Sequence, residues 1–166
     1  MSDEIAAQIE DRVTAVLKAA ATLSEDRVYS DADFRVDKNK TPYVRVSCPA
    51  QRVADTRRTA RHVIEIVDNS LIVIVFGAAS AATGDIKRYV RNEAAKLRAA
   101  IAANRTLKDD AGVPLAYRTL FEDMAVAVDG TGDKARAACR LAFTVRTANL
   151  ADDPTKSLPQ LAAEQA

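Results

Sequence analysis

Apolar residues recur along this chain with two periods. Ile5, Ile9, Val13, Val16, Leu17 and Ala20 share one face of a helix, while Gln8, Asp11, Arg12 and Lys18 lie on the others. The spacing predicts an amphipathic helix ending near Leu23 and Ser24. Ser2 or Asp3 is placed to cap it, and Asp3 and Glu4 suit the positive end of its dipole. A second stripe, Ile86, Val90, Ala94, Leu97 and Ile101, predicts a helix from about Asp85 to Asn104. Lys87, Arg88, Arg91, Lys96 and Arg98 form its wet face.

Period-two alternation marks the strands. Val28 to Phe34 is a short candidate, and Asp37 to Lys40 reads as a turn. Pro42 opens a clearer strand, with Val44, Val46 and Cys48 on one side and Tyr43, Arg45 and Ser47 on the other. Pro49 is expected to end that strand or to place it at an edge. Gln51 to Arg61 is polar and reads as a loop or an extended hairpin arm. His62 to Val67 and Leu71 to Phe76 are strand runs with Asp68, Asn69 and Ser70 between them as a tight turn. Leu71 to Phe76 is apolar on both faces. A helix covers one face of such a strand, and the other must also lose water against protein. Residues 109–114 form a loop, and a strand-like run from Leu115 to Val128 follows. The turn Asp129 to Lys134 leads into a strand in which Cys139, Leu141, Phe143 and Val145 alternate with Arg140, Ala142, Thr144 and Arg146. The expected fold is α+β, a mostly antiparallel sheet with two helices packed on one face. Residues 1–150 make one domain, and residues 151–166 are expected to be a flexible or partner-bound tail.

Composition narrows the function. A chain of 166 residues suits a single domain with its own core. Lys and Arg number 24 against 23 acids, which argues against a dedicated nucleic-acid binder. Cys48 and Cys139 lack disulfide or metal spacing and are expected as buried free thiols. No run approaches a membrane span, and the acidic start is unlike a secretory signal, so a cytosolic site of synthesis is expected.

Candidate chemistry is sparse. His62 is the one histidine and has no nucleophile motif beside it, so a structural or surface place is favoured. Gly130, Thr131 and Gly132 echo a phosphate loop but lack its spacing and following helix; a hairpin turn needs only their positive φ. Asp31, Asp33 and Asp37 lack the glycine and closing glutamate of a calcium loop. No catalytic residue, cofactor or metal is therefore expected. Arg52, Arg57, Arg58 and Arg61 are the charged group of most interest. They could touch phosphates, pair across a subunit interface, or sit on a solvated arm.

The order of parts over roughly residues 5–148 resembles the tail terminators of long-tailed bacteriophages and phage-like particles. Leu71 to Phe76 runs through a small-residue loop into the helix Asp85 to Asn104. Asn104-Arg-Thr-Leu107 leads to Leu115-Ala-Tyr-Arg-Thr-Leu120. The turn Asp129 to Lys134 feeds Ala138 to Thr147. The resemblance implies a non-enzymatic virion protein of the tail or neck. Such a protein forms a hexameric ring that caps the tail tube and joins it to the head connector, with DNA passing through the lumen without sequence-specific binding. It implies a homo-oligomer with the tail tube protein and the neck protein as partners and no membrane. Gln51 to Arg61 and the C-terminal tail depart from the family layout. Another neck or tail-completion protein, or a small ligand-binding or regulatory α+β domain, is the alternative.

Overall fold

In the computed structural model, which describes residues 4–20, 22, 24, 27–31, 41–80 and 84–166, the first apolar stripe forms helix α1 (Ile5–Ala19). Ile5, Ile9, Val13 and Leu17 are wholly buried, each burial contributing roughly 1.5–3 kcal/mol. The helix stops at Ala19, short of the expected end, and Glu4 rather than Ser2 or Asp3 stands at its N-cap. Ser2, Asp3 and Leu23 lie outside the described residues.

Six strands follow in one sheet. They are β1 (Val28–Ser30), β2 (Tyr43–Arg58), β3 (Val63–Ala78), β4 (Arg118–Asp129), β5 (Arg136–Leu150) and β6 (Asp153–Ser157). The order is β1-β2-β3-β5-β4, with β6 added to β5. All neighbours are antiparallel except β1 and β2. The candidate strand Val28 to Phe34 is thus realised as β1; Asp33, Phe34 and the turn Asp37 to Lys40 lie outside the described residues.

One face of the sheet is covered. Val44, Val46, Leu71, Val73, Val75, Cys139, Leu141 and Val145 point into a core shared with α1 and with α2 (Ile86–Ala103). The second apolar stripe faces that core, with Ile86, Val90, Ala94, Leu97 and Ile101 buried. Asp85 caps α2 by accepting the N–H groups of Lys87 and Arg88. Gly77 permits the close approach of α2 to β3, since a Cβ there would lie 2.7 Å from Val90 Cγ1. Arg98 on α2 stacks its guanidinium 3.6 Å over the Phe121 ring of β4. The buried stripe also contains Glu93, which the apolar pattern hides; its Oε1 accepts the Ser24 N–H and hydroxyl and ties the chain after α1 to α2.

Two expectations are corrected, and one, at Pro49, is met in its edge form. The tight turn at Asp68, Asn69 and Ser70 is absent, because β3 runs unbroken through them. The side chains of Asp68 and Asn69 are satisfied across strands instead. Asn69 donates to the Val145 carbonyl at 2.9 Å and the Thr147 hydroxyl at 3.1 Å, and accepts from Gln51 Nε2 at 2.7 Å. Pro49 does not end β2 but stands at an edge, the other expected place. It falls in a register shift between Ser47 and Ala50, beyond the three residues that β1 pairs, where no ladder N–H is demanded. Residues 151–166 are not a free tail. They carry β6 and a short helix α3 (Leu158–Glu164), at whose start the Ser157 N–H donates to the Gln160 side chain at 2.8 Å. Gln160 donates to Gln8, and Gln8 to the Thr155 carbonyl, so the segment docks on α1.

Candidate functional site

The β2–β3 hairpin extends well past the helix-covered core. Register runs from Ala50 opposite Ser70 out to Arg58 opposite Val63, and residues 59–62 close the tip. Gln51 to Arg61 is therefore the extended arm and not a loop. Every residue from 51 to 62 is exposed, so the arm's β2 edge does no work in the core. The tip is a compact turn in which the Thr59 N–H and hydroxyl both donate to the His62 carbonyl. The His62 N–H returns a bond to the Thr59 hydroxyl. His62 thus sits in the tip, one residue ahead of β3, with no catalytic partner among the described residues.

The arm distributes its arginines over both faces. Arg52 and Arg57 stand opposite Asp68 and Ile64 and so share the face away from the helices; Arg58, opposite Val63, points to the other. Arg61 lies in the tip. Arg57 has Asp55 at 3.5 Å, an exposed contact of little energetic weight. Arg52, Arg58 and Arg61 have no ion-pair partner among the described residues. The fold thus brings the four candidate residues onto one projecting element, spread along it rather than gathered into a pocket.

The uncovered face of the sheet carries a transverse row that sequence reading missed. Arg52 lies opposite Asp68, Asp68 opposite Arg146, and Arg146 opposite Arg118, across β2, β3, β5 and β4. Arg146 grips Asp68 with two bonds, Nε to Oδ1 at 2.7 Å and Nη2 to Oδ2 at 2.8 Å. These bonds hold the Asp68 carboxyl below the usual carboxylate range against an opposing effect of burial, and they push the Arg146 guanidinium up. On either side of the row lie apolar residues. Ile72, Ile74 and Phe76 of β3 are half-buried on this face, and Phe76 stacks on Tyr43 at 4.7 Å. The second face of Leu71 to Phe76 is therefore covered only in part within one chain.

Asp68 gives a testable pH dependence. An acid whose folded pKa lies below its unfolded value, ~3.9 for Asp, adds stability above that value and loses it as pH falls through the folded pKa. Asp68→Asn removes this contribution. Melting temperature followed downward from about pH 6 should fall more steeply in the wild type than in the variant. Parallel curves would show that the Asp68–Arg146 pair does not couple folding to protonation.

Chemistry elsewhere is quiet. Cys48 and Cys139 are buried free thiols, as expected. Burial, reinforced by Glu10, pushes the Cys48 thiol up to about 12, so it stays neutral and unreactive. Burial also raises the Glu10 carboxyl, which accepts the Cys48 N–H at 2.7 Å and anchors α1 to β2. Gly130 and Gly132 have φ of 79° and 61° and build the turn between β4 and β5, which the one-turn 3-10 helix Gly132–Lys134 completes. No group of three metal-ligating side chains occurs among the described residues, and none of the described helices is long and apolar enough to cross a membrane. An open groove of about 550 Å³ at the end of the sheet is lined by Thr41, Tyr43, Phe76, Ala127, Asp129 and Arg136 among others.

No protein-family model matches this chain, and no curated protein matches it in sequence. Among solved structures it is similar to a chain described as "Virion of native gene transfer agent (GTA) particle". The two share 18% identity with a TM-score of 0.47, over 88% of this chain and 92% of that one.

Proposed function

We propose that the chain is a structural virion protein, a tail terminator whose copies form a ring on the end of the tail tube. The ring caps the tube and presents the head connector with a joining surface, and DNA passes through its lumen. No catalytic step and no cofactor enter this role. The observation that carries the reading is the arm. A sixteen-residue hairpin pair, β2 with β3, stands half outside the core, carries Arg52, Arg57, Arg58 and Arg61, and is exposed along β2 from Pro49 to Arg58. An edge that contributes nothing to its own core is suited to contacts with other chains. The half-covered apolar face of β3 adds a second surface that gains from a neighbour. The order helix, hairpin, helix, hairpin is what resembles the terminators, and the Gln51 to Arg61 arm is an addition to that layout.

The groove beside Tyr43, Phe76 and Arg136 favours a second reading, a small ligand-binding domain. The mass of the purified chain separates the two. A terminator gives a closed oligomer of about six copies, by heterologous contacts around an axis. A C₂ dimer favours the ligand-binding domain instead. In particles, Arg57→Glu combined with Arg58→Glu should spare folding and sharply lower the yield of finished virions. Normal yield would remove the arm from the assembly contacts.

A further inference from the structure

The sheet has two long free edges, and we propose that they join: the β2 edge of the arm in one copy pairs with β4 in the next. This rests on the reading above only for the closure of the joined copies into a ring. β4 is the last strand of the sheet and runs twelve residues with no neighbour on its outer side among the described residues. Among the described residues the arm's β2 edge is equally open, because β1 pairs only with Val44, Arg45 and Val46. Unpaired edges of this length are templates for strand addition unless something blunts them.

The side chains point the same way. The large apolar residues that remain exposed among the described residues are Val53, Tyr117, Leu120, Met124 and Val128. Val53 is on the arm, Leu120, Met124 and Val128 are on β4, and Tyr117 immediately precedes β4. Charge is complementary as well. The arm offers Arg52, Arg57, Arg58 and Arg61 against Asp55, whereas β4 offers Glu122, Asp123 and Asp129 against Arg118. Direction agrees. β2, β3, β5 and β4 alternate, so β4 runs opposite to β2 and the new ladder is antiparallel. A β4 edge cannot meet its own copy and gain the same charge match, so the contact is heterologous and propagates from copy to copy.

The geometry also sets the shape of the joint. The Arg118 end of β4 is level with Arg52, through Arg146 and Asp68, and the rest of β4 runs back alongside the core half of β2. The free part of β2 runs the other way, toward the tip. Joining the edges therefore offsets each copy along the strands. Strands in a closed ring built this way tilt against the axis, as the stagger of closed barrels requires.

A charge exchange tests the joint in the full-length protein. One variant carries Arg57→Glu with Arg58→Glu; the other carries Glu122→Arg with Asp123→Arg. All four positions are exposed, and melting curves check that each variant folds. In sedimentation over a concentration series, each variant alone should self-associate at least about tenfold more weakly than the wild type, because like charges then face each other. An equimolar mixture should recover association, since each altered edge meets its complement in alternating copies. A mixture no stronger than its components overturns the joint, as does a wild type that stays monomeric to about 1 mM. If the wild type forms a ring that neither variant weakens, the joint is wrong and the ring stands. If the mixture recovers but copies add without closing, the joint stands and the ring falls.

Discussion

Replacing Leu97 with alanine destabilises the domain by roughly 2–5 kcal/mol, the cost of removing a large aliphatic side chain from a packed core. Leu97 is fully buried, in the stripe that α2 turns toward the sheet. It belongs to the same core as Leu71, Val73, Leu141 and Phe143, so its removal leaves a cavity lined by strands that cannot collapse freely. Denaturant unfolding should show a lower midpoint with an unchanged slope. A loss below about 0.5 kcal/mol, the size of an ordinary surface change, would mean that α2 does not pack by this face.

Replacing Asn69 with leucine costs roughly 1–3 kcal/mol for the buried polar groups it leaves unpaired. Asn69 is wholly buried in the middle of β3, and its amide serves Val145, Thr147 and Gln51 at once. Leucine keeps the branch at Cγ but offers no donor to the Val145 carbonyl. Asn69→Asp should be worse than leucine, since a carboxylate would face that carbonyl and would be buried without a cation in hydrogen-bond reach. Equal stability of the wild type and the leucine variant would show that the network contributes no net stability.

These two residues show what was legible in the sequence. Leu97 announces its place by period alone: Ile86, Val90, Ala94, Leu97 and Ile101 fall on one side of any helix. The two-sided β3 run and the final β5 alternation are legible for the same reason, and the α+β class follows from them. Asn69 is not. Asp68, Asn69 and Ser70 have the composition of a turn, and their meaning depends on Arg146 and Thr147, each 78 residues further on. A salt bridge and an amide network across a sheet leave no local pattern. The same holds for Glu93, a charge within an apolar stripe whose partner Ser24 is 69 residues away.

The candidate arginines were legible as a group but not as an arrangement. Arg52, Arg57, Arg58 and Arg61 are close in sequence, and the polar run around them marks an insert between apolar strands. That the run is a strand depends on pairing with Val63 to Ser70, which turn-like residues disguise. The register shift between Val53 and Asp55 then puts Arg52 and Arg57, five residues apart, on one face, a detail no alternation rule anticipates. The free β4 edge is a property of topology. Glu122 and Asp123 become a match for the arm only once β5 is seen to lie between β3 and β4.

Electron micrographs of particles made without this chain test the terminator role most directly. The account predicts heads filled with DNA beside tails that are irregular, overlong or unjoined, because nothing caps the tube or offers the connector a surface. Normal joined tails would contradict it, and headless tails of normal length would move the chain to another step of neck completion.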